Sequence, residues 1–214
     1  MVFDLDGVLL DSEAAWDGAR RELVRERGGT WTGSATRDMM GMSSREWSRY
    51  LAEELGVDLE PDAISELVVE RLLDSYRRRL PLLPGAIEAV ERLAGRWPLG
   101  LASSSNREVI DLVLAESGLE PRFRVTVSSE EVARGKPAPD VYDEAARRLG
   151  VAPDACVAIE DSENGIRSAH AARMRLIAVP NPRFPPAAEA LALTDRTIVS
   201  PADLTPAVVE ELER

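Results

Sequence analysis

The sequence predicts an α/β protein, a doubly wound parallel sheet with an all-helical segment inserted behind its first strand. Three observations carry that expectation. From residue 86 onward, helical periodicity alternates with short apolar runs across brief connections, the pattern of right-handed βαβ units. Three of the strand candidates stop abruptly at polar residues, which is where open parallel sheets bind their ligands. Between residues 12 and 81 the periodicity is helical throughout. Residues 1–11 and 82–214 are therefore expected to form the α/β core, and residues 12–81 the inserted helical unit.

Taken in order, Val2-Phe3 reads as a short buried strand. Residues 14–26 read as a helix stopped by Gly28-Gly29, and residues 36–40 are short and ambiguous. A helix over residues 44–54 has Ser43 or Ser44 as its cap and Gly56 as its stop. Residues 61–79 form another, opened by a proline and amphipathic through Ile64, Leu67, Val68, Leu72 and Tyr76. Pro81 and Pro84-Gly85 end it. Helices over 86–96, 107–116, 140–149 and 165–172 then alternate with strands over 99–102, 124–127, 156–159 and 176–179. A strand at 197–199 and a helix at 207–212 close the chain.

The bulk composition narrows the partners. With 214 residues, 44% of them hydrophobic, the chain can bury a sizeable core. A net charge of −12 argues against nucleic acid and against an anionic membrane surface. No apolar run approaches a membrane span, and the chain opens directly on a strand, without room for a signal peptide. The single Cys156 forms no internal disulfide, so a reducing, cytoplasmic setting is expected for a monomer or homodimer. The lone His170 lies away from the polar strand ends and leaves little for a histidine relay. Of the 26 basic residues, only Lys136 is a lysine. A chain that otherwise writes its positive charge as arginine has an ammonium there for a reason of shape.

Four stretches can carry chemistry. Asp4 and Asp6 alternate with Leu5, so both carboxylates can face one way while Leu5 points inward, and Gly7 turns the backbone behind them. Paired acids suit a divalent cation, or a nucleophile beside a general acid. Ser103-Ser104-Ser105-Asn106 follows a strand and opens a helix, placing hydroxyls that donate to a phosphoryl oxygen or simply cap the helix. Lys136 rises from the proline-stiffened run Gly135-Lys136-Pro137-Ala138-Pro139. Glu160-Asp161 directly follows another strand. Gathered together, such carboxylates repel at about 4 kcal/mol per pair at about 4 Å in a surface-like dielectric. An all-oxygen cluster relieved by a cation favours Mg²⁺, and the complementary Lys and hydroxyls suit a bridging phosphate.

In this order, Asp4-Leu5-Asp6-Gly7-Val8, Ser103, Lys136 and Glu160-Asp161 resemble the four signature motifs of the haloacid dehalogenase superfamily. The helical stretch between the first two resembles the α-helical cap of its phosphoglycolate-phosphatase-like and β-phosphoglucomutase-like members. The resemblance implies a Rossmann-like three-layer core, a Mg²⁺ cofactor and an aspartyl-phosphate intermediate formed from a small phosphorylated metabolite. It implies Asp4 as nucleophile and Asp6 as general acid and base. Ser103, with Ser104 beside it, Lys136 and the cap-loop Arg45 would contact substrate. The metal set would be the Asp4 carboxylate, the Asp6 carbonyl and Asp161, with Glu160 as a ligand or in support of one. Dehalogenases of the superfamily lack the second acid, so Asp6 implies phosphoryl chemistry.

Within the resemblance, the mutases carry His where Trp16 stands and Arg directly after the Ser of a Gly-x-Ser loop. Here Gly41-Met42-Ser43 is followed by Ser44, with Arg45 one place later. These departures favour a phosphatase over a hexose-phosphate mutase, while a non-catalytic phosphate-binding module has no use for a nucleophile. Trp16, Trp31, Trp47, Met39, Met40 and Met42 read mainly as packing between the inserted helices.

Overall fold

The computed structural model describes residues 1–213. The strands are β1 (Val2–Phe3), β2 (Leu99–Ser103), β3 (Phe123–Ser128), β4 (Val157–Glu160), β5 (Arg175–Ala178) and β6 (Arg196–Thr197). They form one parallel sheet in the order β3-β2-β1-β4-β5-β6. Strand order reverses at β1, between β2 and β4, so the switch point of the sheet lies where Asp4 leaves it. Asp4 itself extends the ladder by donating its N–H to Ile159 O at 3.0 Å.

The central strands β1, β2 and β4 are buried on both faces, and the pleat sorts their side chains. Phe3, Leu101, Ile159 and Ile177 enter one core, whereas Val2, Ala102, Ala158, Leu176 and Ala178 enter the other. The first face is covered by α5 (Ala86–Ala94) and α6 (Arg107–Ser117), with Val209 of α10 (Pro206–Glu210). Phe3 and Phe123 meet edge to face there, centroids 5.9 Å apart, a contact contributing about 1 kcal/mol beyond its area. The second face, lined with smaller side chains, takes α7 (Asp140–Leu149), α8 (Glu163–Ala171) and α9 (Ala188–Leu191). Gly100 belongs to that closeness, because a methyl there would press on Val125 and Leu149.

Four helices intervene between β1 and α5, namely α1 (Glu13–Glu26), α2 (Ala35–Asp38), α3 (Ser44–Glu53) and α4 (Pro61–Arg78). Helices α1 and α3 pack on α4 through Leu23, Leu51, Ile64, Val68 and Leu72, all fully buried. The chain enters and leaves this unit through paired strands of backbone. Leu10 bridges Leu82 antiparallel, Asp11 N–H donates to Pro81 O at 2.8 Å, and Leu83 N–H to Leu9 O at 2.9 Å. No helix among the described residues is long and apolar enough to cross a membrane.

Candidate active site

The polar strand ends converge. Behind Asp4 the chain makes a tight loop in which Gly7 N–H donates to Leu10 O at 2.8 Å and Leu9 N–H to Leu5 O at 2.8 Å. Gly7 sits at φ +76°, and a Cβ there would collide with the Asp161 carboxylate. The absent side chain thus lets the ends of β1 and β4 close on each other.

Lys136 is the hub. Its side chain is only 2% exposed, and Nζ donates to Asp4 Oδ1 at 2.9 Å and Glu160 Oε1 at 2.6 Å. Glu160 is fully buried with both oxygens occupied. Oε1 also accepts from the Tyr142 hydroxyl at 2.7 Å, and Oε2 from Asp161 N–H at 3.0 Å and the Ser162 hydroxyl at 3.2 Å. Carboxylate oxygens of Asp4, Glu160 and Asp161 lie within 4.8 Å of one another. The ion pairs of this cluster go to Asp4 and Glu160, so Asp161, 4% exposed, has a carboxylate without a basic partner among the described residues. Burial pushes the Asp4 carboxyl up to about 8, against the pull of Lys136 and with Glu160 and Asp6 adding to the rise. Burial likewise raises Asp161 well above the usual range, reinforced by Glu160 and Asp4. Burial alone would lower Lys136, but the two carboxylates outweigh it and hold the ammonium above its ordinary value.

A divalent cation fits this set. An unpartnered buried carboxylate beside a second one is costly, and an all-oxygen donor set suits Mg²⁺. Because Glu160 is saturated by Lys136, Tyr142 and backbone donors, Asp4 and Asp161 are the carboxylates that would hold such an ion, while Glu160 anchors the lysine. Gly165 makes room for that anchor, since a Cβ there would overlap the Glu160 carboxylate. We expect Gly165→Ala to displace Glu160 and lower stability by about 1–3 kcal/mol, read as a fall in denaturation midpoint. A midpoint equal to the parent's would show that the carboxylate is free to move.

Asp6 stands apart from the cation cluster. Trp16 Nε1 donates to its Oδ1 at 3.1 Å and the Ser105 hydroxyl to its Oδ2 at 2.6 Å. A residue of the inserted helices thus helps to orient an acid of the core. Further bonds hold the two units together: Ser104 Oγ donates to Gly41 O and Asn164 Nδ2 to Met40 O, each at 3.2 Å. The cleft they enclose is lined by Asp4, Asp6, Lys136, Asp161, Ser104 and Ser105 from the core. From the insertion it is lined by Glu13, Trp16, Arg20, Trp47 and the Met39–Met42 loop.

Against expectation, several residues sit differently. Ser103 is fully buried, its Oγ accepting from Ser105 N–H at 3.0 Å, and the hydroxyls that line the cleft are those of Ser104 and Ser105. Arg45 is not brought to the site. Ser43 caps α3, with Glu46 accepting from Ser43 N–H at 2.8 Å, and this start turns Arg45 outward to an exposed surface away from the cleft. Trp16, Trp47, Met39, Met40 and Met42 do more than pack between helices, because they also wall the cleft. Trp31 does not, and instead lies under the Arg21 guanidinium at 4.6 Å.

Residues 1–173 match the family model of the haloacid dehalogenase-like hydrolases. The chain is 35% identical over 192 residues to hexitol phosphatase B of Escherichia coli K12, covering 85% of this chain and 83% of that protein. It is 33% identical over 183 residues to a fructose-1-phosphate phosphatase of the same organism, covering 84% and 95%. Among solved structures, CbbY from Rhodobacter sphaeroides in complex with phosphate superposes with a TM-score of 0.86 at 27% identity, covering 98% and 97%.

Proposed function

The chain belongs to the haloacid dehalogenase-like hydrolases, as a phosphoric monoester hydrolase, and from that premise we propose a Mg²⁺-dependent phosphatase of small phosphorylated sugars or polyols. The observation that carries this reading is the Lys136 ammonium locked between Asp4 and Glu160, beside an unpaired, buried Asp161. That arrangement orients one carboxylate as a nucleophile and leaves room for positive charge next to it.

In the proposed cycle Asp4 attacks phosphorus in line with the departing oxygen, and Asp6 gives that oxygen its proton. The P–O bond to the alcohol breaks as the Asp4–phosphorus bond forms, leaving an aspartyl-phosphate. Water then attacks the same phosphorus while Asp6 takes its proton, and Asp4 leaves as the free carboxylate with release of inorganic phosphate. Trp16 and Ser105 hold Asp6 in place for both transfers. Lys136 pulls Asp4 toward its ionised, attacking form and opposes the negative charge gathering on the phosphoryl group. Ser104, whose hydroxyl lines the cleft just ahead of α6, would exchange its bond to Gly41 O for a phosphoryl oxygen. Mg²⁺, which Asp4, Asp161 and the Asp6 carbonyl would hold, supplies charge neutralisation for those oxygens.

The test is release of inorganic phosphate from a panel of hexose and hexitol monophosphates. We expect turnover with Mg²⁺ and its loss on chelation. With β-glucose 1-phosphate and a bisphosphate primer, phosphate should appear and glucose 6-phosphate should not accumulate. Efficient isomerisation without phosphate release would make the protein a mutase.

A further inference from the structure

Resting on the phosphatase reading, we infer that Arg20 and Glu13 form the specificity pair of the cleft, recognising uncharged hydroxyls at the end of the substrate remote from phosphorus. The two residues stand two turns apart on α1, with Trp16 between them, so one face of that helix presents all three to the cleft.

Arg20 is an unusual residue to bury. It is 8% exposed, its guanidinium carbon lies 4.8 Å from the ring centroids of both Trp16 and Trp47, and its Nε–H has no hydrogen-bond partner. The two indoles meet at 60° with centroids 5.8 Å apart, so together they hold the guanidinium in one orientation. Two cation–π contacts hold the cation, yet they leave its Nε–H without an acceptor among the described residues. A buried donor without an acceptor is unfavourable, and a ligand entering the cleft relieves it. Structural packing alone would be met by an aliphatic side chain between the tryptophans, with no orphaned donor.

The charge of the neighbourhood decides what that ligand carries. A phosphate or carboxylate would gain Arg20 but would approach Glu13, whose carboxyl feels the Arg20 charge and is pushed by burial up to about 6. Asp6 and Asp17 add negative charge near Arg20, Asp17 with Arg21 as its own partner. Lys136, the other cation of the cleft, is already committed to Asp4 and Glu160. A distal anion therefore meets one free cation and several acids. A hydroxyl has no such conflict, because it donates to Glu13 while accepting from Arg20. Neighbouring hydroxyls of a sugar or alditol satisfy both partners, and the methionines and tryptophans cover the carbon skeleton. The pair thus selects monophosphates of polyols and disfavours molecules with a second phosphate.

The test compares three esters in the presence of Mg²⁺: a hexitol monophosphate, a hexose bisphosphate and p-nitrophenyl phosphate, which has no distal hydroxyls. For Arg20→Gln, the ratio of kcat/KM for the hexitol ester to that for the aryl ester should fall by about tenfold or more. An equal fall for both esters would overturn the assignment, since it would mean that Arg20 only supports Trp16 and Asp6. Glu13→Gln should narrow the parent's preference for the monophosphate over the bisphosphate by about fivefold or more. An unchanged preference would overturn the charge argument. Binding of the hexitol monophosphate, followed by tryptophan fluorescence, gives a second readout. Arg20→Gln should weaken it by a similar factor, and unchanged binding would overturn the inference. Failure of the parent to hydrolyse any of the three esters would strike the phosphatase reading itself, while the fluorescence titration would still judge Arg20.

Discussion

Asp4→Asn is expected to fold as the parent does and to lose turnover of every phosphate monoester by about ten-thousandfold or more. The amide keeps the shape and still offers Lys136 an acceptor where Asp4 Oδ1 now lies at 2.9 Å. It cannot attack phosphorus. The fold should tolerate the change because burial already disfavours the charged form of this carboxyl, whose pKa stands at about 8. A raised carboxyl pKa means that folding at neutral pH must carry a proton onto this group, so an amide, which titrates in neither state, leaves the melting temperature level or raises it slightly. The measurement pairs thermal melting with phosphate release from purified protein. Retention of more than a few per cent of the parent rate would remove Asp4 from the role of nucleophile.

The second large effect concerns the hub. Lys136→Met should destabilise the protein by about 3–5 kcal/mol, because it strands Asp4 and Glu160 without their shared cation in a buried site. Lys136→Arg keeps the charge but not the shape. The ammonium is enclosed by Asp4, Glu160 and Tyr142, whose ring centroid lies 5.0 Å from Nζ, and a planar guanidinium exceeds that space. Overpacking there should cost about 1–3 kcal/mol, and a displacement of about 1 Å at the reacting group should cost about a hundredfold in kcat. Denaturant unfolding and steady-state rates check both. An Arg variant that matches the parent in midpoint and in kcat would make the chain's only lysine a matter of usage.

What the sequence disclosed follows from how local each signal is. The helix over residues 140–149 was legible to the residue because prolines precede it and Gly150, at φ +71°, stops it. Asp4, Glu160 and Asp161 were legible because each follows a short apolar run, and the parallel sheet then had to bring those ends together, whereas Lys136 was legible as the chain's only lysine on a proline-stiffened loop. Glu160 was harder to rank against Asp161. Only the packed structure shows its two oxygens consumed by Lys136, Tyr142 and backbone donors. Arg20 and Glu13 were hidden for a different reason. Their spacing is that of any charged helix face, and what they meet depends on how the insertion folds back over the sheet. Arg45 shows the same limit in reverse. Its motif position pointed to the substrate, but the cap at Ser43 set the helix phase and sent the side chain to solvent.

The crossing of the chain at Leu10 and Leu82 has a consequence for how such a protein can change. Both ends of the helical insertion leave the core side by side, already tied by backbone bonds from Asp11 to Pro81 and from Leu83 to Leu9. Closing that neck depends only weakly on the length of what lies beyond it, since each doubling of a loop adds only about 0.6 kcal/mol to its closure. The neck thus tolerates an insert of different length. Swapping it would replace Glu13, Trp16, Arg20 and Trp47 together while leaving the Asp4–Lys136–Glu160 frame untouched. Substrate preference and reaction chemistry are then coupled at one point, Trp16, which any replacement insertion must match with another donor to Asp6.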